Sequence, residues 1–431
     1  MGKSWEALWL QISMMEMKVR PAFFHFLLIY KKQCHPTSWI IPVSHLHAFN
    51  CIAELGEGGE DFSEPVMEGE DDIMNQNFED DSIHAFQGHT DAIYSVAWSK
   101  VSADTVATGG ADELGFIWRV GEDAFMENQG DVFELRGHKD TITDMEFNNS
   151  GSSLATAGMD GCVKIWSVSA GKCLQTLDGP SESIDWLTWH PKGDVVLAGS
   201  SDFTVWMWNA QTGDFMMTFS GHAGPVSCGA FTPDGKSVVT CGGEGDATLR
   251  VWDPKSGQAF ICVEGPHFQE TGITCMKIHP NGQTALSGAE AGTIRLVSLE
   301  SGKVLGSLDK HIDGSSVEDI VYLVGDGIAA SAGMDGNLVV WDLASLSVRV
   351  ECQHPEGITR LLAGPSNHML VSGSLDGVVR CWDARSGSCT HEFRGHTDAI
   401  QDMDMSPDGN QILSGGEDNV ARVFDLRHPP I

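Results

Sequence analysis

A pattern that returns every forty-odd residues and closes on Trp-Asp, or a worn form of it, limits what this chain can fold into more than any other feature. The unit ends read Ile117-Trp118, Ile165-Trp166, Met207-Trp208, Val251-Trp252-Asp253, Leu296-Val297, Val340-Trp341-Asp342, Cys381-Trp382-Asp383 and Val423-Phe424-Asp425. Counted from Trp118 to Phe424, successive ends lie 48, 42, 44, 45, 44, 41 and 42 residues apart. Units open near a Gly-His, as at Gly88-His89, Gly137-His138, Gly221-His222 and Gly395-His396. Two marks that recur in step describe eight copies of one supersecondary unit, and copies this short must stack on one another to bury a core.

Between the marks, alternating apolar stretches are cut by Ser406-Pro407-Asp408-Gly409, Thr232-Pro233-Asp234-Gly235 and His279-Pro280-Asn281-Gly282. Pro presets its φ and Gly accepts a positive one, so these are turns between strands. On these residues the chain resembles the WD-repeat family over residues 82–431, which implies an all-β, eight-bladed β-propeller, with seven blades as the lesser alternative. Residues 82–87 read as an outer strand without the rest of its blade, and they should close the ring on the last blade. An Asp stands six residues before the closing position in seven units: Asp112, Asp160, Asp202, Asp246, Asp335, Asp376 and Asp418. The resemblance implies that each takes a hydrogen bond from the unit's His, which bridges to a Ser/Thr and the Trp. By residue type the set is complete in His138, Thr156, Asp160 and Trp166, and in His354, Ser372, Asp376 and Trp382. The same residue types serve nucleophilic catalysis, but a set repeated in unit after unit is structural. Unit three departs through Gly179-Pro180 and Ala198, and unit five through Ala291 and Val297; packing is expected to hold both.

Charge is the second constraint. The chain carries 60 acidic against 26 basic residues, a net of -34. Residues 54–81 hold twelve acids and no Lys or Arg, yet residues 82–431 still carry 46 acids against 21 bases. A field of that sign repels nucleic-acid phosphates and favours a basic protein or peptide. In the family, the loop before each blade's first strand and the opening of that strand line one face around the central channel. Here those positions hold Asp91, Asp140, Asp144, Glu182, Asp185, Glu318, Asp319, Glu356, Asp398 and Asp402, with only Lys139 and Arg360 of opposite sign. Asp91, Asp140 and Asp398 also suit turns. Among the tryptophans of unit three, Trp189 and Trp208 fall in core register. Trp186 falls in the column of Asp144, Asp319 and Asp402, where an aromatic beside carboxylates can take an Arg guanidinium. Trp206 would cover the blade's outer edge.

Residues 1–50 are expected to be a disordered extension or a mistranslated upstream stretch. The apolar run from Ala22 to Tyr30, interrupted by His25, is too short to span a membrane and lacks a cleavage site. Residues 51–81 have the composition of an acidic disordered segment. Eleven scattered cysteines without a Cys-x-x-Cys pair suit reduced thiols in the cytoplasm, and also the nucleus. No cofactor, metal or catalytic motif is present, so no enzyme is expected, and the chain should be a monomer.

Trp186-Leu187-Thr188-Trp189-His190-Pro191, then Leu197-Ala198-Gly199-Ser200-Ser201-Asp202 and Trp206-Met207-Trp208, are similar to one blade of the angio-associated migratory cell protein family. Ser374-Leu375-Asp376-Gly377 and Trp382-Asp383-Ala384-Arg385 agree with it too. That family is similar in turn to a fungal WD-repeat chaperone of a newly made large-subunit ribosomal protein. The resemblance implies a chaperone or assembly factor that captures a basic ribosomal protein through its acidic face. A rival resemblance lies in Trp382, Asp383 and Arg385, which approach the box by which WD-repeat proteins dock on the adaptor of a cullin-type ubiquitin ligase. Cys381 departs from that box, and Arg427 is a weaker second copy. A signalling scaffold in cell migration is a third reading.

Overall fold

The computed structural model of the chain describes residues 80–121, 132–265, 267–323, 325, 327–366 and 368–428. The expectations for residues 1–50, and for the acidic segment apart from Asp80 and Asp81, lie outside the described residues. Each repeat supplies four short strands, and the turn chemistry fixes how they meet. In residues 142–177 the strands Ile142–Phe147, Ser153–Gly158, Val163–Ser167 and Lys172–Leu177 pair antiparallel in that order. Gly161 supplies the left-handed residue, φ 76°, of the turn between the second and third strands.

Eight such sheets form. The strands of blades 1 to 7 lie within residues 93–119 with 133–136, 142–177, 184–220, 226–263, 273–307, 317–322 with 328–353, and 358–363 with 369–393, and blade 8 joins residues 400–425 to 84–86. Each inner strand packs on the next, from Ile93–Trp98 around to Ile400–Met405 and back to Ile93–Trp98, so the ring is closed. The eight blades and the closing strand expected from the repeat are those observed. His84–Phe86 pairs antiparallel with Ala421–Asp425. Its anchoring begins ahead of the strand, where Asp80 meets the Arg422 guanidinium and Asp81 exchanges two hydrogen bonds with Arg394, at 2.8 and 2.7 Å. Phe86 and His84 both stack on Trp118, at 5.0 and 4.9 Å between centroids.

Because neighbouring strands run antiparallel, the loop into each inner strand and the turn between second and third strands fall on one face of the disc, the entry face. The other two connections fall on the exit face. The core lies between blades, where fully buried Trp208, Trp252, Phe147 and Phe424 meet aliphatic residues of the preceding sheet. Burying each large apolar side chain is worth roughly 1.5–3 kcal/mol.

The polar networks sit inside blades. In blade 2, His138 lies 3.1 Å from Asp160 and 2.8 Å from Thr156, whose hydroxyl accepts the Trp166 indole N–H at 2.9 Å. Blades 4 and 6 repeat this through His222, Asp246, Thr240 and Trp252, and through His311, Asp335, Ser331 and Trp341. Against burial, which raises it, hydrogen bonds from His222 and Thr248 hold the Asp246 carboxyl down at about 2.

Two blades differ from expectation. In blade 7, Arg380 inserts between His354 and Asp376: its guanidinium pairs with Asp376 at 2.8 Å and donates to His354 Nδ1 at 3.2 Å. His354 must then donate from Nε2 to Ser372, at 3.0 Å, the reverse of the direction in which an Asp-paired His works. Burial, then the Arg380 charge, pull its pKa down to about 4. Blade 5 is held by more than packing. Buried Gln269 donates to Ser287 O at 3.1 Å and accepts from Thr293 Oγ1 at 2.5 Å, filling the role left by the absent His and Asp. Blade 3 has no such substitute: Pro180 and Ala198 leave Trp206 to stack on Trp208 at 5.9 Å.

Candidate functional site

In every blade the pairing of inner and second strands slips by one residue just past the strand's start. Such a bulge re-aims side chains. The extra residues are Tyr94, Thr143, Asp185, Ser227, Thr274, Glu318, Thr359 and Gln401. Where they carry a small hydroxyl, it reaches the next blade: Thr143 donates to Ile184 O and Thr359 to Ile400 O, each at 2.7 Å. Asp185 and Glu318 occupy this position half-buried, and each accepts a neighbouring serine hydroxyl, Ser201 at 2.8 Å for Asp185 and Ser316 for Glu318.

The residue after the bulge also staples blade to blade. Asp144 accepts the Leu187 amide at 2.8 Å, Asp319 that of Leu361 at 3.0 Å, and Asp402 that of Val96 at 2.8 Å. Asp402 further holds Arg360 at 2.8 Å. Asp402, then Asp319 and Asp144, hold the Arg360 guanidinium charged against its burial. Asp144, Asp319 and Asp402, expected to meet a partner, are therefore spent on holding the ring. Their place at the buried start of the inner strand turns each carboxylate onto the next blade's backbone.

Burial raises the Asp144 carboxyl to about 7, and Asp402 and Glu146 push it the same way against the Leu187 amide. A group whose folded pKa lies above its unfolded value, near 3.9 for Asp, stabilises the fold below that value and loses the contribution as pH rises through the folded pKa. Wild type is thus expected to lose stability relative to Asp144→Asn between about pH 4 and about pH 7 and to level off above. Parallel melts across that range check it, and a pH-independent difference would contradict it.

Trp186, expected to take an Arg guanidinium, is buried instead. It is 8% exposed, its indole N–H donates to Val226 O at 2.7 Å, and its ring lies on Gly199 and Gly229. It does by indole what Asp144 does by carboxylate. Gly199 and Gly229 leave the room, since a Cβ at either would stand 2.2 or 2.3 Å from the ring. Gly229→Ala is expected to cost about 1–3 kcal/mol by overpacking, read in a thermal melt.

The remaining acids behave differently. Asp91, Asp140, Glu182, Glu356 and Asp398 are exposed on the entry face, two residues beyond each blade's His or its replacement. Asp91, Asp140 and Asp398 each accept the next residue's amide, at 2.8, 2.8 and 3.0 Å, so they are turn residues that stay in solvent. None of the five has a cationic partner among the described residues. Asp313, which stands two residues past His311, is exposed there as well and is absent from the acids expected from the sequence. Six blades of the ring thus present a free carboxylate at one register, while blades 4 and 5 place Gly224 and Thr271 there.

Arg385 lies on the exit face, between Val379–Asp383 and Ser388–Phe393. Its guanidinium is exposed but forked onto Asp383, at 3.0 and 3.1 Å, and Arg427 grips Asp425 likewise. Trp382, by contrast, is buried and donates to Ser372. The Asp-x-Arg pattern is accounted for by this pairing within a turn.

Comparison with known proteins agrees with this architecture. The model of the IFT122 first beta-propeller matches residues 141–425, and that of the WD domain, G-beta repeat, residues 80–119. Human angio-associated migratory cell protein is 32% identical over 363 residues, covering 81% of each chain. Among solved structures, Chaetomium thermophilum Sqt1 bound to the N-terminus of the ribosomal protein L10 has a TM-score of 0.73 at 26% identity, covering 80% of this chain and 100% of that one. Saccharomyces cerevisiae Sqt1, at 22% identity and TM-score 0.71 over 81% of this chain and 100% of that one, shares the fold. The chain belongs to the WD-repeat β-propellers, which bind proteins, and within them to the family of angio-associated migratory cell protein.

Proposed function

We propose that this propeller works by binding and not by catalysis, holding a Lys/Arg-rich protein segment on its entry face and keeping it from other polyanions until delivery. The observation that carries the reading is the set of exposed, unpaired carboxylates at one register of six blades. They are the acids that the ring does not use. A rim of one sign raises the local concentration and on-rate of an oppositely charged segment. The likeness to Sqt1, captured with the N-terminus of a ribosomal protein, supports a newly made large-subunit ribosomal protein as the client class. The nine described cysteines are all free, which suits the reducing cytosol or nucleus as the place of work.

The test is calorimetric titration of a synthetic Lys/Arg-rich peptide at low and physiological salt, with wild type, with the six exposed acids reversed to Lys, and with Arg385→Ala. Loss confined to the reversed variant supports the reading. Equal binding by wild type and the reversed variant removes it. For the adaptor-docking alternative, Arg385 would have to release Asp383; capture of a cullin adaptor that is abolished by Arg385→Ala would put that function in its place.

A further inference from the structure

All eight turns between second and third strands carry a left-handed residue: Glu113, Gly161, Phe203, Ala247, Gly292, Gly336, Gly377 and Asn419, with φ between 52° and 81°. Where it is Gly, the reason is on view. A Cβ at Gly161, Gly292, Gly336 or Gly377 would stand 2.8–3.1 Å from a carbonyl oxygen of the next blade's lead-in loop. Blade 3 nevertheless places a phenylalanine there, at φ 73°, a conformation that a bulky residue adopts only under constraint. The lead-in that follows it, His222-Ala223-Gly224-Pro225, has Gly224 where six blades carry Asp or Glu.

The ring is not buried there. Phe203 is 44% exposed, and it is the one Phe, Tyr or Trp among the described residues that is exposed on the entry face. Met159, in the corresponding turn of blade 2, is 46% exposed. Between these two turns runs the blade 3 lead-in with Glu182, and Asp140 stands on the other side of Met159 in the blade 2 lead-in. An apolar spot is therefore set into the acidic register where that register stops.

We propose that the basic segment held at the entry face also carries a bulky apolar side chain, which seats against Phe203 and Met159 beside the Lys/Arg residues held by Asp140 and Glu182. This rests on the acidic-face reading and adds selectivity to it. Charge alone accepts any polycation, whereas an apolar contact next to the carboxylates favours segments in which an aromatic or large aliphatic residue adjoins basic ones. Polyamines and simple Lys runs would then be weak competitors.

The experiment uses the whole chain and two Lys/Arg-rich peptides that differ by one Trp replaced with Ser, titrated into wild type and Phe203→Asn. Asn takes the left-handed position unaided, as Asn419 does in blade 8. Wild type should prefer the Trp peptide by roughly tenfold. Phe203→Asn should bind the two peptides alike, keep the wild-type affinity for the Ser peptide, and melt no lower than wild type. An undiminished preference in the variant overturns the inference, and so does equal binding of both peptides by wild type. A lower melting temperature with both affinities reduced together assigns Phe203 to the fold and overturns it too. If wild type binds neither peptide, the acidic-face reading itself has failed.

Discussion

Asp402→Ala is expected to destabilise the disc by about 2–4 kcal/mol, because it removes the acceptor of two buried amides, each costing about 1–3 kcal/mol when orphaned, and the partner of a half-exposed guanidinium. The melting temperature should fall by something on the order of 10 °C. Asp402 is 6% exposed and satisfies three donors at once: the Val96 amide at 2.8 Å, the Met403 amide at 2.9 Å and Arg360 Nε at 2.8 Å. Alanine leaves two buried amides without that acceptor, and each costs its desolvation, whereas the half-exposed Arg360 guanidinium can turn to water. Position adds to this. Val96 and Asp402 lie 306 residues apart, across the seam where blade 8 meets blade 1. Loop-closure entropy is recovered there only if the seam stays shut. Asp402→Asn keeps one acceptor oxygen and removes the negative charge that faces Arg360, so it should fall between wild type and Ala. A melt of Asp402→Ala that coincides with wild type would show that the seam does not depend on this residue.

How much of this was legible follows from where each residue's partners are. The eight blades and the closing strand were readable because a repeat repeats its own evidence: Trp118 to Phe424 mark the period, and residues 82–87 match the outer strand of the next unit. The network of blade 2 was readable for the same reason, since His138, Thr156, Asp160 and Trp166 all stand at the repeat's own positions. Gln269 was not, since it belongs to an irregular lead-in and replaces His and Asp by a residue of another type. Arg380 was present in sequence as one of several basic residues at its register, alongside Lys164, Arg250 and Arg422, and nothing local says which of them enters the His pocket. The acidic rim divided along a line that sequence does not draw. Asp140 and Asp144 are four residues apart, yet one faces solvent in a turn and the other meets the Leu187 amide of the next blade. That division depends on the bulge at Thr143 and on the neighbouring blade, which are tertiary facts. Trp186 shows the same limit, because its partner Val226 O lies in another blade.

Reversal of Asp91, Asp140, Glu182, Asp313, Glu356 and Asp398 to Lys should abolish capture of a Lys/Arg-rich segment while leaving the fold in place. Exposed ion pairs are each worth about 0.2–1 kcal/mol. Six of them at roughly 0.5 kcal/mol give about 3 kcal/mol, more than a hundredfold in affinity, and reversal adds repulsion to the loss of attraction. Screening over about 8 Å at physiological ionic strength makes the wild-type affinity fall steeply with added salt. The reversed variant should show the opposite slope, since salt there screens a repulsion. The control that separates charge from turn geometry is the matching Asn/Gln set. Asn retains an oxygen for the amide that Asp91, Asp140 and Asp398 each accept, so its loss of affinity reports the charge alone and should be about half the reversed variant's in free energy. Reversal at Asp144, Asp319 and Asp402 would not serve, because those carboxylates hold neighbouring blades together and their loss would be read as unfolding. A reversed rim that binds the peptide as tightly as wild type, with the same salt slope, would mean that the excess of acid on this face serves solubility and that the client is held elsewhere on the disc.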